Sequence, residues 1–440
     1  MKNAAGLLLW LGMAAAATAG DDPLDNWPQW RGPRGDGVAP RATPPVVWSE
    51  TKNVRWKAAI PGSGSATPAV WGDRIFVLTA VDTGKTPPGA PKPAPPAGDR
   101  GMSTGAPSTL FQFQVLCLDR STGKTLWTRT AAEAVPHEGH HPSHGYASAS
   151  PATDGKLLIA FFGSRGIFAY DLDGALKWSR DLGDMKIKVG FGEGISPVLH
   201  GGLVIVNWDH EGDSFIVALD AATGAEKWRQ ARDEKTTWST PYLVEHAGRT
   251  QAVVNGTKRT RSYDAASGAL IWECGGQGLN AIAMPVSRDG LVYCMTGYKG
   301  FQLYAIRLDS KGDVTDGSGV AWKRTDCAPY VASPLLMDNL LYYTKERQGI
   351  LACSDAATGD VKFGATRLDG IDTIYASLAG AAGKVYVVGR EGTTLVLKHG
   401  PAFEVLSSNK LDEGVDASPV LVGKELYLRG SRSLYRIEAD

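Results

Sequence analysis

The densest run of chemistry-bearing side chains in this 440-residue sequence is Pro136-His137-Glu138-Gly139-His140-His141-Pro142-Ser143-His144-Gly145-Tyr146, which holds four of the eight histidines. Imidazoles at this density can hold Zn²⁺, Cu²⁺ or Fe²⁺, and His210, flanked by Asp209 and Glu211, can complete such a site from a neighbouring element. The candidate metal set is therefore His137, His140, His141, His144 and His210. The competing reading is a polar loop whose histidines cap turns and stack on neighbours, with no helix to present them on one face. A second, scattered set consists of Trp238, Lys258, Arg259, Asn280, Lys299, Arg347 and Arg390, accompanied by Glu193, Tyr330, Tyr375 and Asp416. Cations interleaved with aromatics suit an anionic quinone or a sugar, and they equally describe a solvated funnel. No Ser/His/Asp order, phosphate loop or dinucleotide-type glycine motif stands beside them, so no catalytic residue is assigned.

What must position these residues is an internal repeat. A small or polar residue followed by proline recurs at Thr67-Pro68, Ser150-Pro151, Ser196-Pro197, Thr240-Pro241, Ser333-Pro334 and Ser418-Pro419. Met284-Pro285 and Ser377-Leu378 occupy the two remaining places. After a longer first interval the anchors lie 41 to 49 residues apart, the period of a four-stranded blade. Behind each anchor comes an apolar run, a Gly- or Asp-centred turn, a second run ending in Asp, a Thr-Gly or Ser-Gly pair, and an aromatic. Ala218-Leu-Asp220-Ala-Ala-Thr223-Gly224-Ala-Glu-Lys-Trp228 and Ser262-Tyr-Asp264-Ala-Ala-Ser267-Gly268-Ala-Leu-Ile-Trp272 are the clearest copies. Asp accepts turn N–H bonds, Gly supplies positive φ, and the Trp covers the gap to the next blade. A blade with two apolar faces is not stable alone, so the blades stack into a ring. Eight anchors predict eight blades. The chain after Pro419 suffices for only three strands, so Val54–Ile60, with Trp56 in the aromatic position, is expected to complete the last blade. A Pro/Gly-rich loop insertion at 83–112, containing Pro87-Pro88 and Pro95-Pro96, decorates the first.

Bulk properties narrow the function classes. Lys+Arg and Asp+Glu both number 46, so nothing draws the chain to nucleic acid or an anionic membrane surface. Lys2, the apolar run Leu7–Ala17 and the small-x-small Ala17-Thr18-Ala19 predict a signal peptide at 1–19 and a periplasmic or extracellular mature chain without a lipid anchor, a single domain over 20–440. The five cysteines are an odd number. Cys117, Cys294 and Cys353 sit in strand-like runs and read as buried small hydrophobes, while a Cys274–Cys294 bridge stays open.

The Ala-x-Asp-x-x-Thr-Gly-x-x-x-Trp motif at 218–228 and its relatives resemble the repeat of pyrroloquinoline-quinone (PQQ) dehydrogenases and PQQ-like propellers over essentially the whole mature chain. The opening Asn26-Trp-Pro-Gln-Trp30-Arg-Gly-Pro33-x-Gly35-Asp-Gly37 resembles the start of exported bacterial, planctomycete-like PQQ-type proteins. The resemblance implies an all-β, eight-bladed β-propeller of quinoprotein type, with four-stranded antiparallel blades and a ring closed by the N-terminal strand. In the quinoprotein enzymes it implies PQQ above a Trp, Ca²⁺ held by carboxylate and amide oxygens, an Asp base and adjacent cysteines; the chain has no adjacent Cys pair. A related non-enzymatic branch, the propeller of the outer-membrane assembly machinery, resembles it in fold. The expectation is an exported monomer that acts as a non-catalytic binding or scaffold module, with a protein partner or small-molecule ligand at the propeller funnel. The alternatives are a PQQ-dependent dehydrogenase oxidising alcohols or sugars and a His-rich metal-binding propeller.

Overall fold

The Asp-to-Gly turns close their hairpins as their chemistry requires. Asp119 Oδ1 accepts from the Thr122 N–H (2.8 Å) and hydroxyl (2.7 Å), and Asp220 and Asp264 repeat the arrangement with Thr223 and Ser267. Gly123, Gly224, Gly268 and Gly359 follow at φ of 70–78°. In the computed structural model, which describes residues 20, 22–92 and 102–439, these turns join the third and fourth strands of blades arranged in a ring. Blade 3 shows the plan: Val198–His200, Leu203–Trp208, Ser214–Asp220 and Glu226–Arg232 pair antiparallel from the axis outward. Seven further sheets repeat it, with blades 1 to 8 beginning at Ala69, Ala152, Val198, Tyr242, Val286, Leu335, Ala379 and Val420. Blade 4 carries a fifth strand, Gly312–Asp313, lent in parallel by the long outer turn of blade 5.

The ring closes as the sequence predicted. Val54–Ala59 pairs antiparallel with Ser433–Glu438 and is the outermost strand of blade 8. Trp56 donates from Nε1 to the Arg120 carbonyl of blade 1 (3.1 Å). The same lock recurs from Trp127 to Leu172, Trp178 to Ala221, Trp228 to Ala265 and Trp322 to Ala356, each carbonyl belonging to the next blade. Each of these indoles lies on the turn glycine of that next blade. A Cβ at Gly224 would stand 2.6 Å from Trp178, and one at Gly268 2.6 Å from Trp228. The glycine therefore answers two demands at once, positive φ and room for the neighbour's indole. Trp272 is the exception, bonding Gln251 within its own blade, because blade 5 replaces the short turn with the longer 308–319 segment.

The anchors act at the axis. Ser150 Oγ accepts from the Thr67 N–H (2.9 Å), Ser196 from Ser150 (3.0 Å), and Thr240 from Ser196 (3.0 Å). Ser333 accepts from Met284, Ser377 from Ser333, Ser418 from Ser377, and Thr67 from Ser418. The relay lacks a hydroxyl only where Met284 holds the anchor place; beside it the Ala283 carbonyl accepts from Asn255 Nδ2 (2.8 Å). The core sits between blades, as where Ile159 and Phe161 of blade 2 meet Val204, Val206 and Val217 of blade 3. The outer strands are more exposed: Leu176–Arg180 buries Trp178 and exposes its neighbours.

Three expectations are revised or lie elsewhere. The ladder of blade 1 runs on to Asp82↔Phe111, so Phe111 and Gln112 belong to a strand and the insertion is shorter than 83–112. All five cysteines are buried and free; Cys274 and Cys294 share one apolar cluster without a bridge. The expected signal peptide at 1–19 and Pro95-Pro96 lie outside the described residues.

The segment Asn26–Gly37, outside the repeat, becomes a strap across one end of the axis. Trp27 exchanges backbone bonds with Val70 of blade 1, the Thr153 N–H of blade 2 reaches the Pro28 carbonyl (2.8 Å), and Gly37 and Ala39 pair with Gly380 of blade 7. The Arg31 side chain, buried in the centre, donates to the carbonyls of Ser333, Pro334 and Leu378. Trp30 donates from Nε1 to the anchor hydroxyl of Ser418 (3.3 Å).

Candidate functional site

An antiparallel meander puts the loops entering each anchor, and those joining the second and third strands, on one face of the ring. The strap closes the opposite face. Between them lies an axial cup of about 610 Å³, inside the range typical of small-molecule sites. Trp30 lies at its base beside the anchor hydroxyls of Thr67, Ser150, Ser196, Ser377 and Ser418. Its walls carry Trp238, Phe191, Tyr298, Tyr330 and Tyr375.

The cationic side chains in the cup differ in how they are held. Lys299 stands over the Tyr298 ring (5.5 Å), and Tyr298 in turn stacks on Tyr330 with centroids 4.9 Å apart. Arg347 donates weakly to the Tyr375 hydroxyl (3.5 Å). Neither has a carboxylate partner among the described residues. Arg390, by contrast, grips Asp416 through two bonds (2.5 and 2.9 Å) and covers the Tyr375 ring (4.3 Å). Asn280 is buried beside the cup, donating to the Tyr330 hydroxyl (3.2 Å) and accepting from Lys188 Nζ (3.0 Å). Four loop residues around this face, Val189, Asn280, Lys299 and Glu346, hold φ of 50–56°. This conformation costs a non-glycine residue, a β-branched valine most of all, and strain of this kind gathers at binding sites.

The sequence-derived set divides accordingly. Trp238, Lys299 and Arg347 line the cup, Asn280 and Arg390 support it, and Lys258 and Arg259 lie away from it. Lys258 pairs with Asp233, and Arg259 with Asp313 and Glu273, on the outer side of blade 4. Glu193 is turned away into the protein, accepting from the Ser164 N–H (2.7 Å) and hydroxyl, and burial pushes its carboxyl up.

The five histidines do not gather around one point, and among the described residues no three His, Cys, Asp or Glu side chains are grouped to hold a metal ion. His137-Glu138-Gly139-His140-His141 spells the spacing with which helical zinc enzymes present two histidines, but here it is loop, and the i,i+4 facing that a helix supplies is lost. His137 contacts the Met185 carbonyl and Arg165; His140 bonds the His141 carbonyl and packs edge-on to Tyr146. His210 accepts from the Lys186 N–H, while neighbouring Asp209 is committed to a buried pair with Arg232 (2.8 Å). Only His141 and His144 face the cup. Burial, then Arg347 and Arg390, lower the His141 pKa. Burial pushes His144 down to about 4, and its Nδ1 lies 2.7 Å from Ser148 Oγ. Both imidazoles are therefore neutral hydrogen-bonding groups near pH 7.

Sequence reasoning missed Trp30, Tyr298 and Phe191. Trp30 had a signal, a Trp/Arg/Gly cluster outside the repeat; Tyr298 and Phe191 had none, since loop aromatics abound in this chain.

A search of curated proteins returns no match. Among solved structures, BamB from Moraxella catarrhalis superposes with a TM-score of 0.51 at 16% identity, covering 82% of this chain and 100% of that one. The quinohemoprotein alcohol dehydrogenase of Comamonas testosteroni gives 0.61 at 11% identity, over 96% and 81% of the two chains. A europium-containing methanol dehydrogenase gives 0.62 at 9% identity, over 94% and 91%. At these identities the likeness speaks for the fold, an eight-bladed propeller of quinoprotein type. Residues 112–365, more than half of the sequence, match the family described as outer membrane protein assembly factor BamB, and the chain belongs to that family of PQQ-type propellers.

Proposed function

We propose that this chain is an exported propeller that works as a binding module, with a small-molecule ligand or a protein segment received in the axial cup. The observation that carries this reading is the cup itself. It is closed at its base by Trp30, walled by aromatic rings, and supplied with Lys299 and Arg347, two cations without carboxylate partners among the described residues. A surface cation normally remains solvated or paired. Two that face rings inside a concavity are placed to receive an anionic group beside a flat one. Export rests on the sequence of residues 1–19. No helix among the described residues is long and apolar enough to cross a membrane.

A PQQ-dependent oxidoreductase is the second reading, favoured by the same pairing of cations with ring-bearing walls. When bound, PQQ would supply two-electron redox chemistry. The cup suits the carboxylates and plane of that cofactor through Lys299, Arg347 and the tyrosine rings. It does not suit the accompanying Ca²⁺: Asp416 is held by Arg390, and among the described residues no three acidic, His or Cys side chains are grouped. The test is a titration of the mature protein with PQQ, with and without Ca²⁺, read by Trp fluorescence and followed by dye-linked oxidation of alcohols and aldoses. Turnover would replace the binding-module reading. Saturable binding that weakens in Lys299→Gln and Arg347→Gln, without turnover, supports it. No binding would move the search to protein partners of the same face.

A further inference from the structure

The insertion in blade 1 returns to the cup. Its base extends the hairpin, with the Thr83 N–H bonded to the Leu110 carbonyl (3.0 Å) and the Leu110 N–H to Lys85 (2.8 Å). Farther out, residues 102–104 dock on the histidine-rich loop. The Thr104 N–H donates to the His140 carbonyl (2.7 Å), and the His140 N–H donates back to Thr104 Oγ1 (2.9 Å). Ser103 is buried. Gly139 makes the approach possible, since a Cβ there would stand 1.9 Å from the Thr104 carbonyl oxygen. Met102, next in line, stays 46% exposed and lines the cup beside His141 and Ser143.

We infer that residues 102–104, the docked end of the insertion, are a fixed part of the cup's rim and that Met102 is a specificity-determining contact, which selects organic anions carrying an apolar arm. The inference rests on the cup being the binding site. Lys299 and Arg347 enter from blades 5 and 6, while Met102 enters from the side of blade 1, so polar and apolar recognition come from different parts of the ring. A thioether is suited to the apolar role because it is flexible and polarisable and packs well on rings. Leaving a large apolar side chain nearly half exposed has a cost in water, and an apolar arm of the ligand would relieve it. Docking through two hydrogen bonds and a glycine gives that contact a defined position on an otherwise Pro/Gly-rich loop.

The experiment uses 8-anilinonaphthalene-1-sulfonate, an anion with an apolar aromatic arm, and the small hydrophilic dianion pyridine-2,6-dicarboxylate as its competitor. Dye fluorescence is titrated on the full mature chain and on Met102→Ser, Gly139→Ala, Lys299→Gln and Arg347→Gln, with thermal melts of each. Met102→Ser alters an exposed side chain and should keep the wild-type melt while weakening dye affinity about five-fold or more, and the competitor's affinity less than two-fold. Gly139→Ala should reproduce this selectivity loss by displacing residues 102–104 from the histidine-rich loop. Lys299→Gln and Arg347→Gln should weaken both anions. If the charge variants weaken both anions while Met102→Ser leaves the dye unchanged, the role of Met102 is overturned and the cup reading stands. If the charge variants change neither, or the dye shows no saturable one-to-one binding, both fall.

Discussion

Acid should destabilise the propeller through His144, and the size of the effect follows from where the ring sits. Its imidazole lies against Gly192 and Gly194, with Nδ1 bonded to Ser148 Oγ, and burial holds its pKa at about 4 against 6.5 for a free side chain. The folded protein therefore takes up this proton less readily than the unfolded chain. Above pH 6.5 both states are neutral and the group contributes nothing. As the pH falls from 6.5 toward 4, the unfolded chain gains a proton that the folded one refuses, so folding stability is lost; below 4 both carry it and the loss is complete. The gap corresponds to about 3 kcal/mol, and the ring's contact with the open cup reduces the expectation to about 2 kcal/mol. Urea unfolding of wild type and His144→Asn over about pH 7.5 to 4 isolates the effect, because the carboxylates common to both cancel in the difference. Glu193, pushed up by burial, acts with the opposite sign and cancels in the same way. The stability of wild type relative to the variant should fall by about 2 kcal/mol across that range. Parallel curves would refute the reasoning.

Gly224→Ala should cost at least about 2 kcal/mol in chemical unfolding, since φ of 71° and the Trp178 indole 2.6 Å from the new Cβ act together. Asp209→Asn leaves the fully buried Arg232 guanidinium without its counter-charge and should lower stability by about 3–5 kcal/mol, whereas Lys258→Ala at the exposed pair should change it by less than about 1 kcal/mol. Removing the chain through Ile60 takes away both the strap and the outer strand of blade 8, and should abolish the cooperative calorimetric transition that simple trimming of a tail would leave intact. Ser196→Ala strands the buried Ser150 N–H and should cost about 1–3 kcal/mol, measured by urea midpoint, while Ser196→Thr should restore most of it.

How much of the site could be read in advance depends on the range of the forces involved. Lys258 and Lys299 are the same residue type at equivalent loops of adjacent blades, yet one is paired on the outside with Asp233 and the other faces the cup. The partner that decides between them lies in no local pattern. The histidine-rich loop read either as a metal site or as a polar loop whose rings stack on neighbours, and each ring takes a different neighbour once the loop packs: Met185 for His137, Tyr146 for His140, Ser148 for His144.

The sequence by itself determined the number of blades, the Asp and Gly chemistry of their hairpins, the indole at the blade junction and the closure of blade 8 by Val54–Ala59. These rest on hydrogen bonds and backbone angles spanning a few residues, repeated often enough to rise above variation. Only the tertiary structure decided the hydroxyl relay of the anchors, the path of Asn26–Gly37 across the axis, the docking of Met102–Thr104 on the rim, and the choice of cations that meet in the cup. Each of these joins groups from different blades, and their directions are set when the ring closes and burial and pairing settle the remaining side chains.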